Sequence, residues 1–173
     1  MSVQALDLGL EAPPQRGLSL PRARLDELHA LLTLDPIAGA SPSRTLFVVS
    51  EAAKARLARR TCPSCLETVL TAPACAVVGY DFAFAVQLAL SSQAAEPGDT
   101  DLAIRTASLG AALQGDGLIR AAAALGLGAT PIANFDAAAL RAEFFGETSA
   151  TVVFVCRLDL NPGSSWRPEC PKP

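Results

Sequence analysis

Residues 74–80 read ACAVVGY, seven positions with no charge and no polar–apolar alternation. A strand with one wet face alternates, whereas a strand that is apolar throughout is covered on both faces. This stretch asks for a sheet with other elements packed on each side of it. Two further apolar runs, at 45–49 (TLFVV) and 151–156 (TVVFVC), predict companion strands.

The segments between them carry helical patterns. Ser19 and Pro21 mark a start, and Leu25, Leu28, Leu31 and Leu32 share one face of a helix over 21–33. Asp35 precedes Pro36 and ends it, because a residue before proline avoids the helical region. Ser50 is placed to cap a second helix, with Glu51 in its first turn and Arg56, Arg59 and Arg60 towards its end. A short helix is expected over 66–70, stopped before Pro73. From 101 to 127 the chain is alanine-rich and helical, with Gly126 and Gly128 as stop signals. Gly110, Gly115 and Gly117 weaken that helix, so each needs a packing reason, such as close approach of another backbone. Asp116 and Arg120 are four apart and predict an ion pair. Asp136 caps a last helix through Phe145.

Strands alternating with helices indicate an α/β or α+β sandwich in a single domain. Residues 1–18 read as a poorly defined N-terminal arm, and the proline-rich 158–173 as an extended tail. Half of the residues are hydrophobic and 18% are charged, which speaks against disorder. A net charge of −3 argues against nucleic-acid or anionic-membrane partners. No apolar run has the length of a membrane helix. The start, MSVQALDLGLEAPP, lacks the pattern of a signal peptide, so a cytoplasmic location is expected. Gly-x-Gly-x-x-Gly and phosphate-loop motifs are absent, which removes support for a Rossmann or P-loop assignment.

Five cysteines remain to be read. Cys75 and Cys156 fall inside apolar strands as inert core thiols. Residues 62–65 read CPSC. No second pair has metal-ligand spacing and His29 lies within an amphipathic helix, so no metal site is expected. For Cys62 and Cys65 two readings stay open. Arg59 and Arg60 precede the pair and a helix begins near it, which favours thiolates and a redox dithiol. A basic helix rather than a strand precedes the motif, unlike thioredoxin-type sites, which favours an inert pair.

Residues 113–136, LQGDGLIRAAAALGLGATPIANFD, resemble a segment of the nitroreductase superfamily, in particular its malonic-semialdehyde-reductase-like branch. SPSRTLFVVSEAAKARL, LTAPACAVVGYD and DAAALRAEFFG resemble further segments of that branch, in the same order. The resemblance implies an α+β fold, a three-layer sandwich of a central sheet flanked by helices. It implies an intertwined homodimer with FMN at the subunit interface, and NAD(P)H as donor of hydride to the flavin. The activity implied is that of an oxidoreductase on a small electron-poor acceptor of nitro, quinone or aldehyde type. Two other roles remain beside it: a flavin-free relative that keeps the dimeric fold for binding or regulation, and thiol redox through Cys62 and Cys65.

The resemblance also places cofactor contacts. Ser41 keeps a hydroxyl of the branch's Pro-Ser/Thr-x-Asn loop, and Arg44 falls on its arginine. Cys65 takes the place of an asparagine that contacts the flavin ring, and Thr68 that of a lysine which balances charge on the reduced ring. Asn134 and Phe135 match the Gly-Phe turn whose backbone N–H groups face N5, with asparagine tolerating a positive φ. Arg167 and Lys172 fall near the basic residues that grip the phosphate. At the branch's N-terminal arginine this chain has Leu10, with Arg16, Arg22 and Arg24 nearby.

Overall fold

A computed structural model describes residues 19–34, 43–81, 83, 100–146 and 150–160. Ser41, Arg167, Lys172, the arm expected over 1–18 and the tail from 161 onward lie outside the described residues. In chain order the elements are α1 (Arg22–Leu34), β1 (Ser43–Val48), α2 (Glu51–Ala58), a 3-10 turn (Pro63–Cys65), α3 (Leu66–Leu70), β2 (Ala74–Asp81), α4 (Thr100–Ala124), β3 (Gly128–Pro131), α5 (Ala137–Phe144) and β4 (Ala150–Asp159). The strands form one antiparallel sheet in the order β1-β2-β4-β3.

β2 is buried from Ala74 to Tyr80, as its composition requires. Its alternate side chains enter two separate cores. Ala74, Ala76, Val78 and Tyr80 meet Leu25, Leu28 and Leu32 of α1 and Ala107, Ala111, Leu118 and Ala122 of α4. Cys75 and Val77 meet Leu57 of α2, Val69 of α3 and Leu140 of α5. The result is three layers: α1 and α4, the sheet, then α2, α3 and α5. Among the described residues, no helix is long and apolar enough to cross a membrane.

The pairing of β2 with β4 shifts register between Val78 and Gly79, where Phe154 and then Val152 lie opposite. Val153 is the extra residue of this bulge. It reverses which side chains of β4 face which core, because side chains alternate with a period of two. Ala150 and Val152 therefore face the α2 side, while beyond the bulge Cys156 and Leu158 face α4. Gly79 permits the close approach: a Cβ there would lie 2.6 Å from the Thr151 carbonyl oxygen.

Helix ends follow the sequence signals. Ser50 Oγ accepts from the Ala53 N–H, and Asp136 Oδ1 accepts from the Ala139 N–H at 2.9 Å. Gly126 has φ 69°. The Leu127 N–H returns to the Ala122 carbonyl at 2.8 Å and the Gly126 N–H to Ala123 at 3.0 Å, a Schellman stop. Gly115 has the packing reason its place in the helix asks for, and it is a side chain rather than another backbone. A Cβ there would lie 2.9 Å from the Phe154 ring, so an aromatic side chain of β4 fills the notch. β3 was not anticipated: the glycines that stop α4 also begin this four-residue strand, and it has no alternation to betray it. β4 runs longer than the expected 151–156, out to Asp159. Asp116 and Arg120 pair at 3.0 Å on the exposed face of α4, as their spacing predicts.

Two cations, Lys54 buried and Arg157 half-buried, rivet the second layer to the sheet. Lys54 of α2 donates to the Ala72 carbonyl at 2.9 Å and pairs with Glu51 at 2.7 Å. Arg157 of β4 grips Asp159 through Nε and Nη2, and its Nη1 donates to the Thr68 carbonyl at 2.8 Å and to Thr71 Oγ1 at 2.9 Å. Asp159 raises the already high pKa of the guanidinium, against the opposing effect of burial. The α3–β2 corner is fixed by these contacts as well as by apolar packing.

Candidate functional site

The chain leaving α2 meets the chain leaving β3. The Ile132 N–H still bonds the Val155 carbonyl at 2.9 Å, after which residues 133–135 turn away from the sheet. The Cys62 N–H donates to the Asn134 carbonyl at 2.9 Å and the Asp136 N–H donates to the Arg60 carbonyl at 2.8 Å, with Thr61 opposite Phe135. Behind this two-residue bridge, Arg56 and Arg60 of the α2 end both reach Glu143 of α5 at 3.5 Å. The bridge therefore sits at a corner braced by α2, α3 and α5.

Asn134 adopts φ 59°, the positive value that its glycine-like position asks for. Ala133 and Asn134 are exposed, while Phe135 is half-buried and packs on the apolar core beneath. Neither the Asn134 N–H nor the Phe135 N–H has an acceptor among the described residues. The turn is thus held on both sides by hydrogen bonds and leaves two backbone donors open between them.

Cys62 caps the 3-10 turn, with Pro63 at its first position, and Cys65 closes it. The two Sγ atoms lie 2.7 Å apart, and Ser64 Oγ lies 3.1 Å from Cys62 Sγ. The Ala133 carbonyl faces both sulfurs, at 3.7 Å from Cys65 and 4.0 Å from Cys62. Cys65 also packs on the core, whereas Pro63 and Ser64 are exposed. The surroundings split the pair. Its hydrogen bond with Cys65, then that with Ser64, holds the Cys62 thiol below its ordinary range. Burial, then the neighbouring Cys62, pushes Cys65 up. At Cys62 the leading causes are hydrogen bonds within the motif, and at Cys65 burial comes first. Neither set includes the arginines expected to act on the pair, and Arg60 is engaged with Glu143.

Of the residues singled out by the sequence, this corner unites Cys65, Asn134 and Phe135. Thr68 follows Cys65 by three residues on α3, half-buried, with its carbonyl occupied by Arg157. Arg44 lies elsewhere. It is on β1, paired with Asp81 at 3.2 Å, and β1 and β3 are opposite edges of the sheet. Three strand spacings separate those edges, roughly 14 Å. Arg157 was missed by sequence reasoning, although its place two residues before Asp159 on one face of a strand was a usable signal. The buried Cys75 and Cys156 behave as inert thiols: burial pushes each up to about 12.

No protein-family model matches the chain. It is 36% identical over 156 residues to a provisionally named NADH dehydrogenase/NAD(P)H nitroreductase of Rhodopseudomonas palustris, covering 85% of this chain and 80% of that protein. It is also 36% identical over 160 residues to HadB of Ralstonia pickettii, provisionally named in the same way, covering 86% and 82%. Among solved structures it resembles a nitroreductase from Exiguobacterium sibiricum in complex with FMN, with TM-score 0.68, 17% identity and coverage of 90% and 84%. A nitroreductase family protein from Streptococcus pneumoniae gives TM-score 0.65 at 18% identity, covering 92% and 88%. The structural likenesses speak to the α+β sandwich, and the relatives speak to descent.

Proposed function

The chain belongs to the nitroreductase family, and from that premise we propose that it is an NAD(P)H oxidoreductase that holds FMN at the corner of Cys65, Asn134 and Phe135. Its acceptor is a small electron-poor molecule of nitro, quinone or aldehyde type. FMN, when bound, supplies the hydride chemistry that no side chain of this corner offers.

The observation that carries this reading is the pair of open donors at Asn134 and Phe135. Their turn is already fixed by the bonds from Cys62 to Asn134 and from Asp136 to Arg60. Donors held in place before a ligand arrives need no reorganisation to receive an acceptor atom. The half-buried faces of Phe135 and Cys65 add apolar surface suited to a planar ring. Thr68 contributes a hydroxyl but no charge, and Arg157 behind it is engaged with Asp159. Arg167 and Lys172 are the basic residues proposed for the phosphate. Arg44 lies on the far edge strand of the sheet, so Arg44, with Ser41 three residues before it in the sequence, serves the site through a second copy in a homodimer. Exposed leucines on neighbouring helices, Leu34 of α1 at 76% and Leu109 of α4 at 61%, offer apolar surface for that association.

The test is the visible spectrum of purified protein, followed by titration of FMN into it with fluorescence as readout. Flavin absorption, or quenching that saturates at one FMN per chain, together with NADH or NADPH oxidation by a quinone, is the expected result. A colourless protein that leaves FMN fluorescence unchanged removes the reading. The uncharged Thr68 and the sulfur at Cys65 favour the rival, a flavin-free relative that keeps the fold for binding, and that same outcome would support it.

A further inference from the structure

We propose that Cys62 and Cys65 form a thiol–disulfide exchange site for small anionic disulfides, with Cys62 as the attacking and Cys65 as the resolving sulfur. The proposal does not depend on flavin binding.

Geometry assigns the roles. The Sγ atoms stand 2.7 Å apart on one turn, so only a small closing movement separates them from a bonded pair of about 2.05 Å. Cys62 lies at the outer end of the turn beside exposed Pro63 and Ser64, where a disulfide can reach it. Both cysteines are half-buried, but Cys65 alone of the two also packs on the apolar core, 2.7 Å from the attacking sulfur. The backbone holds this arrangement, since the Cys62 N–H is bonded to Asn134 and the Cys65 N–H to the Cys62 carbonyl, each at 2.9 Å. The difference in acidity runs the same way, because the thiol that is easier to ionise is the one that does not pack on the core. Arg59, exposed and three residues before Cys62, has no ion-pair partner among the described residues and favours an anionic substrate.

The chemistry closes without an outside oxidant other than the disulfide itself. The Cys62 thiolate attacks one sulfur of RSSR, forming a Cys62–S–S–R bond and expelling RS⁻. That thiolate takes the Cys65 proton. The Cys65 thiolate then attacks Cys62 Sγ, forming the intramolecular disulfide and expelling a second RS⁻. The protein loses two electrons and RSSR gains them, yielding RS⁻ and RSH. In the reverse direction a dithiol reopens the pair.

The experiment treats the purified protein, as isolated, with oxidised glutathione and follows intact mass and peptide maps. Wild type is expected to lose two hydrogens in a Cys62–Cys65 linked peptide, reversibly with dithiothreitol. Cys65→Ser is expected to accumulate one glutathione adduct on Cys62, and Cys62→Ser to form neither product in the same time. Cystamine, a cationic disulfide, should react about threefold more slowly or worse. Wild type that keeps both thiols reduced overturns the proposal, as does a Cys62→Ser variant that takes up glutathione on Cys65 at the rate at which Cys65→Ser takes it up on Cys62. Equal rates with cystamine overturn the anionic preference. Circular dichroism of both variants shows that the fold is kept, and the Cys62–Cys65 link is read by mass while the flavin reading is tested by absorption and NAD(P)H oxidation, so the two readings fail separately.

Discussion

Cys75 and Cys156 lie in the centre of the sheet on neighbouring strands, and Cys62 and Cys65 lie at its corner. In the sheet, apolar side chains from both layers close over the sulfurs, and desolvation of the thiolate dominates. At the corner each sulfur meets a hydroxyl, a carbonyl or the other sulfur, and hydrogen bonding decides which ionises first. The backbone divides in the same way. β2 and β4 exchange hydrogen bonds along their length, while the turn at Asn134 is held at both ends and open in the middle. The interior spends its polar groups on itself; the corner keeps donors and a thiol available for something else. That contrast locates the chemistry where packing stops and the backbone is still rigid.

The largest expected effect comes from the central thiols. Their folded pKa values are raised from 9.0 to about 12, so in this window the unfolded chain releases protons that the folded chain retains. Stability therefore is unaffected by them below pH 9 and falls as pH rises from 9 towards 12. Each thiol contributes a loss of about 1.4 kcal/mol per pH unit in that range. Urea midpoints at pH 8 and pH 10 check this, and a flat profile would mean that water reaches the sheet centre.

Next comes Gly79→Ala. The new Cβ would meet the Thr151 carbonyl 2.6 Å away, backbone against backbone, at the bulge that sets which way β4 faces. A loss of about 2 kcal/mol is expected from denaturant unfolding. Gly115→Ala presses only on the Phe154 ring, which has room to tilt, and should cost less. Equal losses would show that the bulge yields as easily as a side chain.

At the corner the expected losses are smaller. Asp136→Ala removes the cap on the Ala139 N–H and should cost about 1 kcal/mol. Asn134→Gly relieves a non-glycine residue from φ 59° and should leave stability within a few tenths of a kcal/mol. If Asn134→Gly instead destabilised the protein as much as Asp136→Ala, the asparagine side chain would be making a contact that its exposed position does not show.

Much of this division could be read in the sequence. ACAVVGY announced a strand covered twice, the caps at Ser50 and Asp136 announced helix starts, and Gly126 announced a stop; each is local chemistry with a local cause. β3 could not be read, because four residues without alternation take their shape from pairing with β4. The bulge could not be read either, since its origin is the fit of Gly79 against Thr151, seventy-two residues away. For the site, Asn134 was legible as a positive-φ position and CPSC as a helix start. The bond between Cys62 and Asn134 was not, because nothing local joins two segments that far apart. The side of the sheet on which Arg44 falls was set by strand order, which the residue pattern leaves open.

The smallest expected change sharpens the contrast most directly. The hydrogen bond with Cys65 is the leading cause of the lowered Cys62 pKa, so Cys65→Ala should move the midpoint of Cys62 alkylation by iodoacetamide to higher pH. Ser64→Ala should move it the same way by less, because Ser64 is the second cause. Cys75 and Cys156 should stay unalkylated in all three proteins until denaturant is added, since each is fully covered. Rates across pH 6–10, read by peptide mass, separate the cases. A Cys62 midpoint indifferent to Cys65 would place the source of its acidity outside the motif, with Arg59 as the next residue to replace.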